Sequence, residues 1–198
     1  MNLPNKLTVL RVILVPFFVL FLVWTLPGAA GELISRVLAA VFFSAAAITD
    51  AMDGHIARSR NLVTDFGKFM DPLADKFMVF GAILGFIAAP AYQYSRAYSI
   101  ALLVAGLMVI LRELTVTSLR LVVASGKEKK VVAASVFGKA KTISQCVWVL
   151  VTILEPVLLF FIPWHLCSWI TLVAMTCLTV LSGLDYLKSY WPYIDPTK

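Results

Sequence analysis

"TDAMDGHIARSRNLVTDFGKFMDPLADK", Thr49–Lys76, gathers five aspartates in one short stretch of a chain that is otherwise strongly apolar. Four of them form two pairs, Asp50 with Asp53 and Asp71 with Asp75, and residues three or four apart share a helix face. The fold must explain how helices suited to hydrocarbon can carry such a cluster.

Of the 198 residues, 61% are hydrophobic and 14% charged, with mean hydropathy +0.90. A soluble domain lies near half apolar and a quarter charged, so the excess points to an all-α integral membrane protein. The length suits one membrane-embedded domain over residues 1–198. Apolar runs near 7–26, 33–53, 66–90, 97–124, 139–162 and 166–189 predict six transmembrane helices. Breaks such as "LPGAAGE", "APAYQYS" and "FIPWH" carry turn residues. Lys6, Arg11, the apolar run Val12–Trp24 and "PGAAG" have the layout of a leader peptide. The abundance of later spans and the polar Asn5, Thr8 and Arg11 favour a retained first helix. Cys146, Cys167 and Cys177 lie in apolar stretches without metal or disulfide spacing.

With a cytoplasmic N-terminus, all of the 17 basic residues except Arg36 and Arg96 fall at inner helix ends and loops. The positive-inside rule therefore puts both termini in the cytoplasm, and it accounts for the net charge of +6 without a nucleic-acid partner. Helices 2 and 3, read as antiparallel neighbours, bring the four aspartates to one depth at the cytoplasmic edge. Facing carboxylates repel at low dielectric and need protons or cations. Mg²⁺ or Mn²⁺ suits oxygen ligands together with substrate phosphates. Gly54, Ala57 and Gly67 leave room for a ligand, and Arg58 offers a planar fork for phosphate. Thr64 or Asp65 is the expected cap of helix 3.

The pattern Asp50-x-x-Asp53-Gly54-x-x-Ala57-Arg58, eight residues, then Gly67-x-x-x-Asp71-x-x-x-Asp75 resembles the signature of the CDP-alcohol phosphotransferases. "MNLPNKLTVLRVILVPFF", "LRELTVTSLR", "FGKAKTISQ" and "LSGLDY" are similar to its bacterial branch acting on glycerol 3-phosphate, and "SGKEKKVVAAS" is the loosest stretch. The resemblance implies a six-helix fold, usually homodimeric, in the bacterial inner membrane with its site facing the cytoplasm. It implies phosphatidyl transfer from CDP-diacylglycerol to glycerol 3-phosphate with release of CMP. It further implies two ions, Mg²⁺ or Mn²⁺, on Asp50, Asp53, Asp71 and Asp75, with Asp75 also the general base. Gly54, Ala57 and Gly67 would line the cytidine pocket, Arg58 would hold the diphosphate, and Asn5 and Thr8 would contact the donor.

The acceptor must be read from other residues. Arg112, Arg120, Lys139 and Lys141, on helices 4 and 5, favour an acceptor bearing a phosphate. Lys127, Lys129 and Lys130 are read as serving topology and anionic lipid. Glu113 points about 100° from Arg112 around the helix, so the two need not pair. Asp185 could buttress the site, while Glu155 is expected on the outer side and His165 at the interface. Inositol phosphate, or the acceptor of a cardiolipin synthase, is the alternative within the same chemistry. An aspartate-rich prenyltransferase would carry its acids on separate repeats. A proton-coupled transporter would need mid-membrane carboxylates and an inverted repeat, and neither is found.

Overall fold

The computed structural model describes residues 1–59, 62, 64–125, 136–159 and 161–191. Six helices follow in order: α1 Leu3–Val23, α2 Ala29–Ser59, α3 Asp65–Ala88, α4 Arg96–Ser125, α5 Val136–Leu158 and α6 Leu166–Tyr190. Short 3₁₀ turns at Pro90–Tyr92 and Pro163–His165 precede α4 and α6, and no strand occurs among the described residues. Helices satisfy their own backbone groups, as an apolar solvent requires. Five of them, all but α3, are long and apolar enough to cross a membrane. α3 falls outside that set because Asp71, Asp75 and Lys76 interrupt its apolar run. Large apolar side chains such as Leu84, Leu107 and Ile170 are more than half exposed, as suits a multi-pass membrane protein whose outer surface meets lipid.

α2 runs to Ser59, past its expected end near residue 53, so the whole first half of the signature is helical. α3 is capped by Thr64, whose hydroxyl accepts from Gly67 N at 3.1 Å. The larger correction concerns neighbours. α2 and α3 touch only slightly, whereas α1 packs against both of them. Small residues permit this: a Cβ on Gly85 of α3 would come within 2.5 Å of Leu22 Cδ2 on α1, so the two helices approach closely. α5 packs on α6 and α2, and α4 on α6 and α3. The main core joins Phe18 and Leu22 of α1, Phe43 of α2, Ile83 and Phe86 of α3 and Trp148 of α5.

Glu155 of α5, without a role from sequence, caps the start of α6. Its carboxylate accepts from Cys167 N and Ser168 N at 2.9 Å each, and from the Ser168 hydroxyl. A negative charge there satisfies orphan amides and meets the positive end of the helix dipole. His165 stacks on Tyr94 at 3.6 Å between ring centroids.

Candidate active site

Asn5, Thr8 and Arg11 follow one another at steps of three along α1, a polar stripe on an apolar helix. Because α1 lies between α2 and α3, that stripe faces both halves of the aspartate signature. Arg11 is fully buried, and its Nη2 lies 2.8 Å from Asp50 Oδ1 and 2.5 Å from Asp53 Oδ2. Its Nη1 lies 2.5 Å from Asp75 Oδ1. Thr8 Oγ1 stands 2.8 Å from Asp71 Oδ1, 3.2 Å from Asp53 Oδ2 and 3.2 Å from Pro4 O. The four expected aspartates therefore meet around two side chains of α1.

Charge and proton counting show what is missing. The Thr8 hydroxyl has one proton for its three acceptors, and the Arg11 guanidinium pairs with three of the four carboxylates. The cluster is short of positive charge. Its ligands are all oxygen, the type that Mg²⁺ and Mn²⁺ take, so the donor set fits a divalent ion. No group of three His, Cys, Asp or Glu among the described residues is already arranged as a metal shell. In this structure oxygens of Asp50, Asp53 and Asp75 turn to Arg11, and one of Asp71 to Thr8.

The aspartates differ in access. The Asp53 side chain is 4% exposed, whereas Asp50 and Asp75 are 41% and 55% exposed. Asp50 and Asp75 form part of the wall of a cavity of about 560 Å³. Its other polar walls include Arg112 and Arg120 of α4 and Lys139 and Lys141 of α5. All four expected cations thus share one chamber with two of the aspartates.

Three of those cations are already engaged. Arg112 donates to Glu113 Oε1 at 3.1 Å and to Ser182 Oγ at 2.6 Å, and Lys141 also pairs with Glu113. The expectation that Arg112 and Glu113 need not meet is therefore corrected: the Glu113 carboxylate draws two cations to one oxygen, Arg112 beside it on α4 and Lys141 from α5. Arg120 donates to Tyr186 Oη at 2.8 Å, and its guanidinium and that of Arg112 both lie over the Tyr186 ring.

Asn5 accepts from the Thr64 hydroxyl at 2.9 Å. A Cβ on Gly67 would approach Asn5 Oδ1 to 3.2 Å, so this glycine makes room for α1. Gly54 and Ala57 are half-buried on α2. None of Asn5, Thr8, Gly54, Ala57 and Gly67 is in the cavity wall. Arg58 lies in α2, but its side chain is outside the described residues, as are Lys127, Lys129 and Lys130. Sequence reasoning left Arg11 and Glu113 without a role, yet charged residues in apolar helices are functional candidates by default. Tyr186 carried no such signal.

This site of carboxylates clustered from α2 and α3 against α1 is accompanied by direct kinship: the chain belongs to the CDP-alcohol phosphatidyltransferase family, whose model matches residues 1–181. Among particular proteins, it is 36% identical to the CDP-diacylglycerol–glycerol-3-phosphate 3-phosphatidyltransferase of Bacillus subtilis (strain 168), covering 96% of this chain and 95% of that one. It is 36% identical to the enzyme of that name from Salmonella typhimurium, over 95% and 94% of the two chains. The Pseudomonas fluorescens enzyme, also so named, is 32% identical over 98% and 92%.

Proposed function

We propose that this protein transfers the phosphatidyl group of CDP-diacylglycerol to sn-glycerol 3-phosphate, giving phosphatidylglycerophosphate and CMP. The observation that carries the acceptor is the single cavity walled by Asp50 and Asp75 together with Arg112, Arg120, Lys139 and Lys141. Its cationic side suits a phosphate, and its acidic side receives the hydroxyl end. The named activity of the relatives supports the same reading.

Two divalent ions, Mg²⁺ or Mn²⁺, on Asp50, Asp53, Asp71 and Asp75 would supply charge neutralisation for the diphosphate. Arg11 and Thr8 orient those carboxylates from α1. Asp75, the more exposed of the cavity's two aspartates, takes the proton of the attacking hydroxyl. The acceptor oxygen bonds to the β-phosphorus as the bond from that phosphorus to the bridging oxygen breaks, and CMP leaves with that oxygen. Arg58, Gly54, Ala57, Gly67 and Asn5 are assigned to the donor's head. α3 counts as a sixth span in this reading, with both termini and the site cytoplasmic, in a bacterial inner membrane. That depth leaves the donor's acyl chains in lipid while its nucleotide reaches water. The homodimer is adopted from the family.

The test is CMP release from CDP-diacylglycerol by protein purified in mild detergent. Glycerol 3-phosphate, inositol 1-phosphate, phosphatidylglycerol and serine are offered separately, with and without EDTA. Release with glycerol 3-phosphate alone is expected, abolished by EDTA and lowered by about 10³-fold in Asp75→Asn. Turnover with another acceptor overturns the assignment of the cationic wall. Full activity in Asp75→Asn overturns the base.

A further inference from the structure

Gln145 of α5 is 3% exposed, and neither its amide oxygen nor its amide nitrogen has a hydrogen-bond partner among the described residues. Burying both ends of an amide unpaired is unfavourable unless something satisfies them. Gln145 lies four residues beyond Lys141, one turn further along the same face of α5. It lines the cavity that also holds Asp75, Arg112 and Lys141. Phe43, Met78, Val79 and Val149 supply apolar parts of that wall. Of the other neutral polar groups there, Thr142 donates to Gly138 O and Tyr186 Oη accepts from Arg120, while the Trp148 indole N–H is unpaired but can only donate.

We infer that Gln145 reads the acceptor, hydrogen-bonding its secondary hydroxyl; the inference rests on glycerol 3-phosphate being that acceptor. The cations engage the phosphate and Asp75 the attacking primary hydroxyl, which leaves the hydroxyl at carbon 2 as the remaining polar group of the molecule. A hydroxyl both donates and accepts, and so does an amide. Gln145 is thus a specificity-determining residue: it selects a triol-derived phosphate over a plain hydroxyalkyl phosphate, because the latter leaves the amide unpaired.

The experiment compares kcat/KM for sn-glycerol 3-phosphate and 3-hydroxypropyl phosphate, which keeps the phosphate and primary hydroxyl but lacks the secondary one. Wild-type enzyme is expected to prefer glycerol 3-phosphate by about 100-fold. Gln145→Met, similar in volume, is expected to bring that ratio below about tenfold, chiefly by losing activity toward glycerol 3-phosphate. A misfolded fraction lowers both rates together and leaves the ratio unmoved. Should the methionine variant be too unstable to assay, Gln145→Asn, whose shorter amide cannot reach as far, supplies the ratio. A ratio equal to wild type in the assayed variant overturns the inference, as does a wild-type enzyme that accepts both phosphates equally. A wild-type enzyme inert toward both instead removes the acceptor reading, and the role of Gln145 falls with it.

Discussion

Arg11 Nη2 donates to Asp53 Oδ2 at 2.5 Å, across the contact between α1 and α2, with the two side chains 0% and 4% exposed. Breaking a buried pair by removing one partner costs about 3–5 kcal/mol. Arg11→Met should therefore melt at a clearly lower temperature in detergent. Added Mg²⁺ should raise the melting temperature more in this variant than in wild type, since it replaces the lost charge. Equal shifts in both proteins would mean that the guanidinium and the ion do not serve the same carboxylates.

Thr8 touches carboxylates from both α2 and α3. Thr8→Val keeps the shape and deletes the hydroxyl. A hydrogen bond to a charged group contributes about 1.5–3 kcal/mol, so kcat should fall by about tenfold or more as the aspartates lose alignment. The KM for the acceptor, which is bound by other residues, should change little. A change confined to that KM would contradict the position of Thr8 on the aspartate side.

Glu113 holds both Lys141 and Arg112 and so competes with an incoming phosphate. Lys141→Met and Arg112→Met should raise the KM for glycerol 3-phosphate by about tenfold each, given the strength of charge-assisted bonds. Glu113→Gln should act in the opposite sense on anion binding, so that inorganic phosphate inhibits at lower concentration. Inhibition unchanged in the glutamine variant would show that these cations do not meet the anion.

Glu155 caps two amides at the start of α6, far along α5 from the cationic wall. Loss of a cap costs about 1–2 kcal/mol. Glu155→Ala should lower thermal stability while CMP release per folded molecule stays at the wild-type level. A selective loss of turnover at normal stability would tie the Glu155 end of the bundle to the chemistry.

The family, the four aspartates and the cationic residues of the cavity wall were all legible in the sequence. Hydrophobic runs set the helix lengths, and spacings of three and four set which side chains share a face, because both depend only on local helix geometry. The same periodicity marked Asn5, Thr8 and Arg11 as a stripe. What faced that stripe was not legible.

Neighbourhood was decided by packing. Joining α2 to α3 by a short connection suggested that they touch, yet α1 lies against both, helped by the small residue at Gly85. Only that placement makes Arg11 the counter-charge of three aspartates. The pairing of Glu113 with Lys141 and the cap formed by Glu155 likewise join different helices. So does the chamber that sets Gln145 beside Asp75. Sequence by itself determined the membrane fold, the helix faces and the chemical types of the site, since these follow from periodicity and composition. The tertiary structure alone decided which charges cancel and which polar groups are left for a substrate, because that depends on side chains far apart in the chain meeting where helices pack.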